Sequence, residues 1–163
     1  MSQLTGIAIA LTLLLAGASP SVAQSESERE AVRAANQAYY DALSARDIQA
    51  MEQVWSREAD DVLVAPPIRP TAHVGWDKIK KQYETFWATL EELTVSMEQP
   101  TIHIEGNVAW TFGTEHAKRR TKDGQASGGP NFGTNIFVKR DGRWLLVFHQ
   151  AALMPQPPAE KAK

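Results

Sequence analysis

Asp141-Gly142 constrains the fold more than any other stretch of this chain. The pair separates two β-rich runs, and both residues tolerate the positive φ of a two-residue type I′ turn, so a tight antiparallel hairpin is predicted. A two-residue loop sets Arg140 opposite Arg143, Val138 opposite Leu145, Ile136 opposite Val147 and Thr134 opposite His149. On the other face Lys139 meets Trp144, Phe137 meets Leu146 and Asn135 meets Phe148. Both faces are apolar. The sheet is therefore expected to be covered on both sides, by the chain's own helices and by a partner subunit.

The chain of 163 residues suits one domain after a leader is set aside. Leu4 to Ala18 is almost wholly apolar, and Ser19-Pro-Ser-Val-Ala23 ends in a pattern that fits signal-peptidase cleavage before Gln24. Residues 1–23 are thus expected to be a signal peptide, making the protein secreted or periplasmic. The alternative is a membrane tether by an uncleaved segment, although the run is shorter than the roughly 20 residues of a spanning helix. Residues 24–27 read as a lead-in, 28–153 as the domain and 154–163 as a polar tail. With 17 basic and 19 acidic residues the net charge is −2, which offers no basic excess for phosphates and argues against nucleic acid. The chain has no cysteine, so disulfides and thiolate chemistry are excluded.

Ser25 with Glu28 and Ser27 with Glu30 form overlapping capping boxes for a helix running to about Ala45, with Val32, Ala35, Tyr39 and Leu43 as its buried stripe. Asp47 caps a short second helix. Asp61 to Ala65 reads as a strand, followed by an irregular loop at Pro66, Pro67 and Pro70. Gly75 opens a third helix in which Trp76, Ile79, Tyr83, Phe86, Trp87 and Leu90 recur at helical spacing. From Leu93 the period becomes two, and it slips parity after Gln99-Pro100, which predicts a bulge. Gly106-Asn107 is a second hairpin signal. It leads into a strand with Trp110, Phe112, Thr114 and His116 on one face and Ala109, Thr111, Gly113 and Glu115 on the other. Lys122 to Pro130 reads as a flexible connection. Helices followed by a strand meander make an α+β fold, a strongly bent, mainly antiparallel sheet wrapped by three helices around a pocket.

Tyr39-Tyr-Asp-Ala-Leu-Ser-Ala-Arg-Asp47, His73-Val-Gly-Trp-Asp-Lys-Ile79 and Asp141-Gly-Arg-Trp144 resemble the nuclear-transport-factor-2-like superfamily, in its SnoaL-like or ketosteroid-isomerase-like branch. The resemblance spans Glu28 to Leu153 and bears on fold more than on activity. It implies a pocket faced by both His149 with Thr134 and His116 with Thr114, and it sets Tyr39 where the isomerases keep an oxyanion-binding tyrosine. The isomerases' catalytic aspartate would fall near Pro66 and their second acid near Thr134, so this sequence departs from their mechanism.

The candidate catalytic residues are Tyr39, His116 and His149, since an imidazole titrates near neutral pH and a phenol can polarise a carbonyl. Each histidine has a plainer alternative, a core polar group bonded to a threonine hydroxyl. His73 reads as loop-borne and solvent-facing, and His103 as an edge or interface residue. Trp55, Trp76, Phe86, Trp110, Phe112, Thr114, Thr134 and Val147 are the candidate ligand-binding residues. No pair of histidines has metal-ligand spacing, and neither a metal nor a cofactor is expected. The expected function is binding of a small organic molecule in an apolar pocket, with weak acid–base activity. One alternative is an isomerase, dehydratase or cyclase that uses a histidine base and Tyr39. Another is an interaction module that dimerises through Phe137, Trp144, Leu146 and Phe148.

Overall fold

The computed structural model describes residues 20–64 and 71–154, with the side chains of 20–24 left aside. Three helices, α1 (Pro20–Ala45), α2 (Ile48–Val54) and α3 (Trp76–Trp87), pack on one face of a mixed sheet. The strands are β1 (Val62–Val64), β2 (Ala72–Val74), β3 (Leu90–Glu105), β4 (Val108–Thr121), β5 (Ala126–Arg140) and β6 (Arg143–Leu153), in the order β2-β1-β6-β5-β4-β3. Among the described strands only β1 and β6 pair parallel. The α+β architecture is the expected one. The expected signal peptide lies largely outside the described residues, as do the prolines 66, 67 and 70. Among the described residues no helix is long and apolar enough to cross a membrane.

The final hairpin forms as its turn residues demand, with Asp141 at φ 49° and Gly142 at φ 77°. Its ladder holds from Arg140↔Arg143 to Phe137↔Leu146 and then shifts by one residue. Val147 is the extra residue of a bulge, so Phe148 meets Ile136, His149 meets Asn135 and Gln150 meets Thr134. The expected pairing of His149 with Thr134 is thereby corrected. A turn-to-turn count presumes an unbroken ladder, and the bulge breaks it. The bulge expected after Gln99-Pro100 is present as a register shift between Glu98 and Thr101.

Three local expectations change. Helix α1 is already continuous from Pro20, so Ser25 and Ser27 are not its caps. Glu28 instead reaches the sheet, accepting from Lys139 Nζ at 2.5 Å and from Trp144 Nε1 at 3.1 Å, and so pins the helix to the hairpin. The stretch expected as a flexible connection is mostly strand, since Ala126 to Pro130 pairs with Arg120 to His116. His73 is in β2, half-buried and paired with Leu63, rather than on a loop. Asp47 caps α2 as expected, accepting from the backbone N–H of Gln49 and Ala50.

The largest correction concerns which sheet face looks inward. Phe137 and Leu146 are 0% exposed and Trp144 6%, and all three pack in the core beneath the helices. They do not form an outer dimer face; of the four residues expected there, Phe148 alone lies on the outer side, through the bulge. Conversely Trp110 and Phe112, expected in the pocket, are 40% and 46% exposed on the outside. The reason is steric. Helix α1 lies close against the concave face, and small residues on β4 and β5 make room for it. A Cβ at Gly133 would stand 2.5 Å from Met97 Cε and 3.2 Å from the Tyr40 hydroxyl.

Candidate active site

Helix α1, held in the bend of the sheet, turns Asn36, Tyr39 and Tyr40 toward β4, β5 and β6, and all three are buried. Clamps to β3 fix its position: Ser44 bonds both backbone groups of Val95, and Arg46 donates to the Leu90 carbonyl at 2.9 Å. Between this helix, α3 and the inner sheet face lies a cavity of about 700 Å³, a size typical of small-molecule sites. Its walls are largely apolar, with Leu63, Leu93, Val95, Ala117 and Phe86 among them. Tyr39, Tyr83, Glu115 and His149 also line it.

The polar groups there form one network. Asn135 uses both amide hydrogens, donating to Asn36 Oδ1 at 2.8 Å and to the Tyr40 hydroxyl at 3.3 Å. Thr111 donates to the same Asn36 oxygen at 2.8 Å. The remaining Asn135 group, Oδ1, lies 2.6 Å from His149 Nδ1. An amide oxygen can only accept, so it holds the imidazole proton on Nδ1 and leaves Nε2 as a free acceptor. That Nε2 lies 3.8 Å from Glu115 Oε2. Tyr40 donates to the same carboxyl oxygen at 3.2 Å. Tyr83 donates to the Tyr39 hydroxyl at 3.3 Å, which leaves the Tyr39 proton available to a ligand.

Burial governs the titration of this cluster. It lifts the Glu115 carboxyl from 4.5 to about 7, against the lowering effect of the bond from Tyr40. Burial also depresses His149 from 6.5 to about 3, so the imidazole is neutral at physiological pH. Tyr39, Tyr40 and Tyr83 are raised, first by burial and further by the nearby Glu115, and all three stay protonated donors. The cluster therefore holds a carboxyl poised near neutrality, a fixed neutral imidazole acceptor and a phenol donor backed by a second phenol. That combination can take up and return a proton at a bound molecule.

Of the residues singled out in the sequence, Tyr39, His149 and Phe86 reach the cavity. His116 is exposed on the outer face, where its backbone partners are Ser96 and Pro130. Trp110, Phe112, Thr114 and Thr134 share that outer side, Val147 is the bulged residue, and none of them lines the cavity. Trp55 is buried in the core and bridged to Leu146, and Trp76 packs nearby with its ring centre 6.5 Å away. His103 stacks on Trp110 at 4.1 Å on the outside. Sequence reasoning passed over Glu115, Asn135, Tyr40 and Tyr83. Glu115 did carry a signal, being the one acid in the small-residue register Ala109, Thr111, Gly113. Among the described residues no group of three or more histidine, aspartate or glutamate side chains could hold a metal ion.

Comparison with known proteins bears on the fold. A proposed dehydratase of the NTF2-like family from Streptomyces avermitilis superposes with a TM-score of 0.71 at 20% identity, over 80% of this chain and 99% of that one. An NTF2-like superfamily protein from Salmonella enterica serovar Typhimurium gives 0.70 at 17% identity, over 88% and 99%. A hexachlorocyclohexane dehydrochlorinase gives 0.70 at 12% identity, over 85% and 99%. No curated protein matches the chain. The family model of the SnoaL-like domain matches residues 32–157, most of the chain, and the protein belongs to that family, within the NTF2-like superfamily fold.

Proposed function

We propose that the protein is an acid–base enzyme that binds an apolar small molecule carrying a carbonyl group and moves a proton on the carbon beside it. An isomerase or a water-eliminating lyase works in this way. The observation that carries the proposal is Glu115, the only carboxyl among the described residues lining the cavity, buried and raised to about 7. As carboxylate it takes a proton from the substrate carbon, and the electron pair of that C–H bond moves onto the carbonyl oxygen. Tyr39, accepting from Tyr83, donates to that oxygen. The proton on Glu115 then returns to a different carbon, which is isomerisation, or joins a departing hydroxide as water. His149, held by Asn135, accepts from a substrate hydroxyl through Nε2. The base is thus the carboxyl rather than the expected histidine, because an imidazole depressed to about 3 is too weak a base. Two solved neighbours bear the names of elimination enzymes, a proposed dehydratase and a dehydrochlorinase, and elimination begins with the same proton removal.

The test is hydrogen–deuterium exchange beside the carbonyl of 2-tetralone, followed by NMR in deuterated buffer. The wild type is expected to accelerate exchange above buffer. Glu115→Gln should lower the rate by roughly 10²- to 10⁴-fold, and Tyr39→Phe by less. Full exchange in folded Glu115→Gln would remove the carboxyl from the chemistry. The apolar walls also suit a carrier that binds without turnover; in that case the ketone binds the wild type and exchanges no faster than in buffer.

We also propose that a second copy of the chain covers the outer sheet face. The patch there includes Trp110, Phe112, Phe132 and Val108, each between 38% and 46% exposed. Phe112 and Phe132 stack at 5.8 Å, which flattens the patch for contact.

A further inference from the structure

We infer that the ligand is an amphipathic anion, an apolar body ending in a carboxylate or a similar group, and that Arg119 at the cavity mouth receives that end. The inference deepens the reading of the cavity as a ligand site and rests on it. Glu115, Ala117 and Arg119 are alternate residues on the inner face of β4, and all three line the cavity. At about 3.3 Å per residue, Arg119 stands roughly 13 Å along the strand from Glu115. Arg119 Nε donates to Ser127 Oγ at 2.8 Å, and its Cζ lies 6.0 Å from the centre of the Phe86 ring. These contacts hold the guanidinium through one N–H and leave its terminal nitrogens for a ligand. Its chain neighbour Arg120 is engaged with Glu91 and Glu92, whereas Arg119 forms no ion pair among the described residues.

The charge arrangement sets the direction of binding. An anionic group at the closed end would lie beside the buried Glu115, where like charges are unscreened. At the mouth it meets the one arginine among the described lining residues and stays partly hydrated. Between the two ends Leu93, Val95 and Ala117 present apolar wall to the body of the molecule. The substrate class is therefore an acid whose reacting carbonyl lies far along its apolar body from the anionic group, entering body first.

Isothermal titration of the purified protein with octanoate and with 1-octanol separates the two readings. Octanoate should bind the wild type roughly tenfold more tightly than octanol, as a charged hydrogen bond at a half-exposed site contributes. Arg119→Gln should remove that advantage and leave octanol binding unchanged, while Arg119→Lys keeps much of it. Ala117→Phe, which narrows the cavity midway, should weaken both probes. Equal binding of acid and alcohol, or octanoate binding that survives Arg119→Gln, overturns the role of Arg119 and leaves the cavity standing. Loss of neither probe in folded Ala117→Phe, or no binding of either probe to the wild type, overturns both.

Discussion

The two faces of β4 differ more than any two parts of this molecule, although they share a single strand. Going one way along it, Ala109, Thr111 and Glu115 are at most 4% exposed under helix α1. Going the other way, Trp110 and Phe112 are 40% and 46% exposed, and His116 stands beside them in solvent. By hydrophobicity alone the assignment would be the reverse. A concave face with a helix lying in it has little room, and small or hydrogen-bonded side chains let the backbone layers approach. A convex face has room for rings, and large rings there point to a partner rather than to a core. The histidines make the same point, since His149 is buried and fixed by Asn135 while His116 is exposed.

Substitutions that treat the two faces alike would break this contrast, and the largest effect should fall on Asn135. Asn135→Leu removes one donor each from Asn36 and Tyr40 and leaves the buried His149 Nδ1 proton without its acceptor, and urea unfolding should show a loss of about 3 kcal/mol or more. Thr134→Val, one residue away on the outer side, should stay within about 0.5 kcal/mol. Similar losses for both would mean that the network does not hold the inner face together.

The pH dependence of stability sharpens the comparison. Glu115 is raised in the folded state from 4.5 to about 7. Its contribution is full below pH 4.5 and is lost as pH rises through about 7, because the unfolded chain gives up the proton first. His149 is depressed from 6.5 to about 3, so its contribution is full above pH 6.5 and is lost as pH falls toward 3. The two slopes oppose each other between pH 4.5 and 6.5. Glu115→Gln removes one of them, so the variant should gain about 3 kcal/mol relative to wild type between pH 4.5 and 7.5. Parallel stability curves would show that the carboxyl is not held neutral by burial. The smallest effect belongs to the outer face: His116→Ala should alter unfolding by less than about 0.5 kcal/mol. On the same face Trp110→Glu should leave a folded chain that sediments as a monomer where the wild type sediments as a dimer. A monomeric wild type would defeat the proposed pairing of copies.

Much of the architecture was legible because its signals are local. Asp141-Gly142 needs only its own backbone preferences to turn, and the spacing from Trp76 to Trp87 needs only a helical period. The parity change at Gln99-Pro100 is visible in the apolar pattern itself. The site was less legible because its geometry depends on one residue of register. Val147 shifts His149 from Thr134 to Asn135, and apolar alternation reads the same with or without that bulge. Glu28 departs from its expected capping role for a related reason, since a glutamate three residues after a serine fits a capping box whatever distant lysine it meets.

The sequence by itself determined the three helices and most of the strand segments, where the two tight hairpins fall, and that one apolar layer would be folded over by helices. Backbone dihedral preference and hydrophobic period act over a few residues, so they are written in neighbouring letters. The tertiary structure alone decided which face of the sheet is the inside and which polar groups meet there. Asn36, Tyr40, Glu115, Asn135 and His149 come from three strands and a helix, and their hydrogen bonds and shifted titration exist only once burial has removed the water between them.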